Sequence, residues 1–316
     1  MTQLIHLLSA TAWFWTFSIG FLVSIVTSIT LLFCPTFRWI ILLYAAWIWY
    51  DRKTPHRGGR PIQWMRQSFW WRSMKFYFSH KLITNEDVVL NPKKNYLFGC
   101  FPHGIFPVGP FATLVDGYQA TYPNHRTYLT ALDIQFWLPF IRELFLSVGS
   151  VSISGPSIKY LLGNENGGNI VSIVIGGADE AQYSRPGKYK IILNKRKGFV
   201  KMALQTGCSL VPVISFGETD VFDQFTFPGF GCIREVVKKT LQIGLTIPKG
   251  TCLVCPNQVP IVTVVGDPID VTKIEKPTTE QIEALHQQFV ESIKTLFENY
   301  KHRYVKDPEN VFLEVV

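Results

Sequence analysis

Tyr96-Leu97-Phe98-Gly99-Cys100-Phe101-Pro102-His103-Gly104-Ile105-Phe106 is the stretch on which the reading of this chain turns. Residues 96–100 form a short apolar, aromatic run, which predicts a buried strand. Pro102 and Gly104 predict a tight turn after it, because proline presets φ and glycine supplies φ above zero. The turn leaves His103 at a strand end. An imidazole with an ordinary pKa of about 6.5 suits proton abstraction from an alcohol at neutral pH. A turn histidine that only bonds main chain has the same local pattern, so these few residues do not decide the chemistry alone.

Outward from this stretch, strand-like and helix-like segments alternate. Residues 169–175, 210–215 and 261–265 are also short apolar runs that end near Gly or Pro. Residues 199–206 predict a helix closed by Gly207. Thr278 with Gln281 predicts a capping box, after which Ile282, Leu285, Phe289, Ile293, Leu296 and Tyr300 recur at helical spacing. This order predicts an α/β fold, a mainly parallel sheet with flanking helices. Such sheets bind ligands at the carboxyl ends of their strands. The strand 170–175 runs into Gly176-Gly177-Ala178-Asp179-Glu180, so Glu180 is expected to face His103, orienting it or sharing its proton. A surface carboxylate in a turn is the competing reading. Arg185 and the run Lys195-Arg196-Lys197-Gly198 precede the 199–206 helix. Cations beside a helix start suit phosphate, although a solvated basic face is the commoner fate of such a run.

The N-terminal third has a different character. Residues 1–50 contain Arg38 and no Asp or Glu, and residues 13–33 carry no charge at all. About 20 apolar residues span a bilayer as a helix. A second apolar run, 37–50, follows Cys34-Pro35-Thr36 and holds Trp39, Tyr44, Trp47, Trp49 and Tyr50, which suit the membrane interface. A helical hairpin turning at Pro35 is expected over residues 1–50. A single span with an interfacial second segment is the alternative. Residues 1–81 hold nine Lys and Arg against one acid, Asp51, so the entire net charge of +8 lies here and residues 82–316 are neutral. Cations just after a membrane segment mark the cytoplasmic side and attract anionic headgroups. Within 51–81, residues 64–77 interleave aromatics with Arg66, Arg72 and Lys75, which predicts a helix lying on the membrane surface. Nucleic acid explains this charge poorly, since it adjoins a membrane anchor. The six cysteines form no disulfide framework, and the lone pair Cys252 and Cys255 lacks a second ligand pair, so no metal is expected. Residues 82–316 are expected to form one cytosolic domain.

Taken together, the motifs resemble the diacylglycerol acyltransferase 2 family, which includes monoacylglycerol and wax-alcohol acyltransferases. The similarity is carried by Leu43-Tyr44-Ala45-Ala46-Trp47 with Asp51 and Gly58-Gly59-Arg60, by Pro102-His103-Gly104, and by Gly176-Gly177-Ala178 with Glu180-Ala181. It continues through Arg185-Pro186-Gly187, Asn194 to Val200, Val211-Pro212-Val213-Ile214-Ser215-Phe216-Gly217-Glu218 and Phe222-Asp223-Gln224. Thr263-Val264-Val265-Gly266 and Leu285-His286-Gln287 complete it. Two departures stand out: Phe101 replaces a histidine usual in the family, and residues 249–260 are shorter than is typical.

The resemblance implies a multi-pass enzyme of the endoplasmic reticulum membrane, also found on lipid droplets, with its catalytic domain in the cytosol. It would move a fatty acyl group from acyl-CoA, a substrate rather than a cofactor, to the hydroxyl of a neutral lipid. Diacylglycerol or 2-monoacylglycerol would be the acceptor in triacylglycerol synthesis; a fatty alcohol is the alternative. His103 would act as general base with Glu180 orienting it, Pro102 and Gly104 would shape the turn and an oxyanion site, and Arg185, Lys195, Arg196 and Lys197 would hold acyl-CoA. A lysophosphatidate-type enzyme would need an aspartate where Val108 stands. A non-catalytic membrane-anchored protein that binds lipid or acyl-CoA is the reading that the two departures favour.

Overall fold

The computed structural model describes residues 2–85, 88–227, 229–241 and 245–316. Its strands are β1 (Lys81–Thr84), β2 (Tyr96–Phe101), β3 (Arg126–Ala131), β4 (Ser150–Ser152), β5 (Asn169–Val174), β6 (Tyr189–Ile191), β7 (Ser209–Phe216), β8 (Asp223–Gln224), β9 (Pro248–Lys249), β10 (Val262–Val265) and β11 (Leu313–Val315). Seven of them form one sheet in the order β1-β10-β7-β2-β5-β3-β4. Neighbours run parallel except β10 against β7. The expected mainly parallel α/β sheet is present, with one antiparallel pairing added. Every residue of β2, β5 and β7 is buried. Strands covered on both faces read as continuous apolar runs, which is how these three stood out in the sequence.

Helices close both faces. The helix Gly198–Thr206 ends at Gly207, whose left-handed φ of 73° lets its N–H bond Ala203 O at 2.8 Å. The helix Thr279–Tyr304 opens with the reciprocal cap: Gln281 N donates to Thr278 Oγ1 at 3.3 Å and Thr278 N to Gln281 Oε1 at 2.9 Å. It buries Leu285, Phe289, Ile293, Leu296 and Phe297 in the core. A Cβ on Gly99 would lie 2.6 Å from Phe289 Cζ, so this close approach of helix and central strand needs glycine.

At the N-terminus the expected single arm over 13–33 is two helices, Thr2–Ser18 and Gly20–Phe33, bent by 62°. The first buries Ala10, Trp13 and Phe14 in the globular core, with Phe14 against Phe222 at 4.5 Å and Trp13 against Phe111 at 5.5 Å between ring centroids. It therefore belongs to the body of the domain. Helix Gly20–Phe33 packs on helix Arg38–Tyr50 across the Cys34-Pro35 turn. Leu22, Val26, Phe33, Trp39, Leu43 and Tyr50 project from these helices unburied. Among the described residues no single helix is long and apolar enough to cross a membrane.

Residues 64–77 are two short helices, Gln63–Arg66 and Phe69–Tyr77, instead of one. Trp64, Phe69 and Phe76 are exposed while Trp71, Met74 and Tyr77 are buried. Arg66 differs most from a lipid-facing cation. Its guanidinium turns inward and bonds Val148 O at 2.8 Å, Thr127 O at 2.9 Å and Thr127 Oγ1 at 3.2 Å. Burial pulls its pKa down to about 10. Nearby, Asp51 accepts from Thr54 Oγ1 at 2.6 Å and pairs with Arg60 and with the fully buried Arg142.

Candidate active site

β2 and its neighbours β5 and β7 run parallel, so their carboxyl ends meet at one edge. Each end delivers one residue to a common place. The turn after β2 carries His103, the turn after β5 carries Glu180, and the turn after β7 carries Glu218. Phe101 is buried and packs near Phe289, with ring centroids 6.4 Å apart. The departure at that position thus lies in the core and leaves His103 alone at the open edge.

His103 Nδ1 lies 3.0 Å from Gly104 O. A carbonyl only accepts, so Nδ1 carries the hydrogen and the lone pair sits on Nε2. The same bond raises the ring pKa slightly, but burial outweighs it and holds the pKa below its ordinary value. The ring is neutral at pH 7, with a tautomer fixed for accepting a proton at Nε2. Gly104 has φ of +62°, and a Cβ there would sit 3.1 Å from Glu218 Cγ and 3.2 Å from Phe106 O, so the turn requires glycine.

Glu180 is brought to His103 but does not orient the ring, which corrects the expected role. Its Oε1 accepts the main-chain N–H of His103, and its Oε2 accepts that of Ile192 at 3.0 Å. The cause is local. The short helix Gly177–Ala181 follows the strand after only Ile175 and Gly176, and the carboxylate of Glu180 folds back over Gly176, where a Cβ would lie 1.9 Å from Oε2. That path ends at main chain. Glu180 is 1% exposed, and burial pushes its pKa up to about 7 against the opposing effect of its two N–H partners.

Glu218 lies in one of the sequence blocks quoted above, where its residue type alone points to no role. It is also 1% exposed. Its oxygens accept from Val108 N at 2.6 Å and Gly109 N at 2.7 Å, and burial pushes its pKa up to about 8. The signal available in sequence is its place after an apolar strand and Gly217. The carboxylates thus occupy the N–H groups of His103, Val108 and Gly109. Those of Gly104, Ile105 and Phe106 have no acceptor among the described residues. Pro102, with no N–H, shapes the turn only.

The four expected phosphate-binding cations differ in freedom. Arg196 pairs with Asp179 at 2.6 Å, which ties the basic loop to the helix of Glu180. Lys197 pairs with Glu283. Lys195 is exposed, and Arg185 bonds Ser184 O at 2.8 Å. The helix Gly198–Thr206 begins beside them with no acidic residue in its first turn.

Residues 30–315 match the family model described as diacylglycerol acyltransferase. The chain is 40% identical over 286 residues to human 2-acylglycerol O-acyltransferase 1, covering 87% of this chain and 85% of that protein. It is 40% identical to diacylglycerol O-acyltransferase 2 of Danio rerio, covering 86% and 79%. It is 34% identical to human acyl-CoA wax alcohol acyltransferase 2, covering 92% and 91%. The solved 1-acyl-sn-glycerophosphate acyltransferase PlsC of Thermotoga maritima aligns at 14% identity with a TM-score of 0.42, over 96% of this chain and 100% of that one. By the extent of the family and sequence matches, the chain belongs to the diacylglycerol acyltransferase family.

Proposed function

We propose that this chain transfers a fatty acyl group from acyl-CoA to the hydroxyl of a neutral lipid, with His103 as general base. The observation that carries the reading is the Nδ1 contact with Gly104 O, which leaves Nε2 as the acceptor in a neutral ring. The acceptor hydroxyl gives its proton to Nε2 as its oxygen bonds the thioester carbonyl carbon. The carbonyl oxygen becomes an oxyanion beside the N–H groups of Gly104, Ile105 and Phe106. The C–S bond then breaks, and the proton returns from His103 to the departing coenzyme A thiolate. Glu180 acts as a positioning residue that fixes the His103 main chain. Arg185, Lys195, Arg196 and Lys197 receive the phosphates of acyl-CoA, for which Asp179 and Glu283 keep two of the cations in place.

Diacylglycerol or 2-monoacylglycerol is the acceptor we favour, since two of the relatives above are named for glycerolipid acceptors. Such acceptors enter from the bilayer. The hairpin arms of 14 and 13 residues extend about 21 and 20 Å, short of the ~30 Å hydrocarbon core. They dip into the cytosolic leaflet of the endoplasmic reticulum membrane, or the monolayer of a lipid droplet. The exposed Trp64, Phe69 and Phe76 rest at its surface, and the domain from residue 82 onward stays in the cytosol.

The test is acyl transfer in microsomes containing this chain, with labelled oleoyl-CoA and diacylglycerol, 2-monoacylglycerol or hexadecanol. A positioned base contributes about 10²–10⁴-fold. His103→Ala should leave a few per cent of activity or less, with insertion unchanged. Full activity in that variant would remove His103 from the mechanism. Product with hexadecanol alone would replace the glycerolipid reading by wax synthesis.

A further inference from the structure

We propose that Glu218 is a second positioning residue for the reaction centre, holding the far end of the His103 loop through the main chain of Val108 and Gly109. The inference rests on the acyl-transfer reading above and deepens it.

Glu218 follows β7 across Gly217, whose φ of +85° turns the chain where a Cβ would lie 2.2 Å from Pro260 O. The turn drives the carboxylate under the loop that leaves β2. There it meets Val108 N and Gly109 N at 2.6 and 2.7 Å. A Cβ on Gly109 would lie 2.7 Å from Glu218 Oε2 and 2.4 Å from Ser215 Oγ, so the approach excludes any side chain at 109. The carbonyl of the same residue is held as well, by Thr113 Oγ1 at 2.7 Å. Gly109 is therefore fixed at both its N–H and its C=O.

The loop then has two anchors. Glu180 grips its first residue, His103, and Glu218 grips its sixth and seventh, Val108 and Gly109. Between them lie the three N–H groups left open for an oxyanion. Removing either anchor lets that stretch of main chain shift relative to Nε2.

Energetics favours a role tied to function. No Lys or Arg pairs with Glu218 among the described residues, so a carboxylate is buried on main-chain donors alone. Burying a carboxyl group without a counter-ion is costly, a cost that shows as the pKa raised to about 8, and apolar residues of similar volume serve stability at least as well. Such costs concentrate where geometry must be held for chemistry. Both Glu218 oxygens are taken up by main-chain N–H groups, so its hold on the site runs through the backbone rather than the imidazole.

The test is Glu218→Gln in the full chain, assayed in membranes with whichever acceptor the wild type uses. Gln keeps the size but replaces one acceptor oxygen by a donor, which opposes the N–H of Val108 or Gly109. A shift of order 1 Å at a reacting centre costs about 10²-fold. We expect kcat to fall between about ten- and a hundredfold, with the KM for acyl-CoA and the acid limb of the pH–rate profile unmoved. An unchanged kcat overturns the proposal, as does a loss confined to KM. Amide hydrogen exchange on the wild-type chain tests the anchor even where the variant does not accumulate. The amides of Val108 and Gly109 should exchange as slowly as those of β2 and more slowly than the open amides of Gly104, Ile105 and Phe106, and rapid exchange at Val108 and Gly109 would overturn the anchor. A wild type that transfers to no acceptor refutes the acyl-transfer reading instead, while the exchange experiment still judges the anchor.

Discussion

Glu180→Gln separates a carboxylate that serves the imidazole from one that serves the main chain. Wild-type Glu180 has its pKa pushed from an ordinary 4.5 to about 7 by burial. Between those values the native chain holds a proton that the unfolded chain releases. The native state therefore binds more protons in that window, and stability falls as pH rises through it. A shift of this size corresponds to about 3 kcal/mol at 1.36 kcal/mol per unit. For a chain of this length 1 kcal/mol moves the thermal midpoint by roughly 2 °C. The wild-type midpoint should thus drop by about 6 °C from this residue alone as pH rises from 4.5 to 7. Glu180→Gln should lack that part of the decline.

The kinetic consequence differs. The glutamine NH2 cannot accept from the N–H of His103 or of Ile192, so one anchor of the turn is lost. We expect kcat to fall about ten- to a hundredfold. The acid limb of the pH–rate profile, set by the ring, should stay in place, because Glu180 touches the amide of His103 and not its imidazole. Purified protein melted at pH 5 and 8, with kcat/KM followed from pH 5 to 8.5, measures both. An acid limb displaced downward by a full unit in the variant would show that the carboxylate had been stabilising the imidazolium, and would refute the main-chain assignment.

Arg196→Gln with Lys197→Gln should raise the KM for acyl-CoA by about tenfold per lost charged contact, with kcat retained and the salt dependence of KM reduced. An unchanged KM across ionic strength would move phosphate binding elsewhere. Asp51→Asn leaves the fully buried Arg142 with Glu143 at 2.6 Å as its remaining anion. We expect about 3–5 kcal/mol of destabilisation, seen as a lower thermal midpoint, and a midpoint equal to wild type would contradict the burial of that pair.

Much of this architecture was legible from residue types. β2, β5 and β7 announced themselves because strands buried on both faces cannot hide their apolar run, and Thr278 with Gln281 marked a helix start that is made as expected. His103 was legible because Pro and Gly admit few backbone paths. What escaped were facts about direction. A sequence places Glu180 at the correct strand end but does not say whether its oxygens reach a ring or the amide of the same residue. Arg66 reads as one of many lipid-facing cations, yet Gly149 leaves a gap that its guanidinium fills; a Cβ there would lie 1.7 Å from Nη2. The apolar stretch 13–33 carries no charge to betray its bend. Trp13 and Phe14 satisfy a protein core as readily as a bilayer, and only the facing Phe111 and Phe222 decide between them. The antiparallel pairing of β10 depends on how the chain between β7 and β10 returns, which no periodicity records.

The pairing of β11 with β6 bears on how the protein is made. Tyr189↔Leu313 and Ile191↔Val315 join segments far apart in sequence, and the residue after β6 is Ile192, whose N–H holds Glu180. During synthesis the strand leading to His103 leaves the ribosome long before residues 313–315 do. The brace behind Glu180 therefore arrives more than two hundred residues after the strand that leads to His103. Until then the growing polypeptide carries its histidine in an unfinished frame, and a chain cut before Leu313 would keep that immaturity for good.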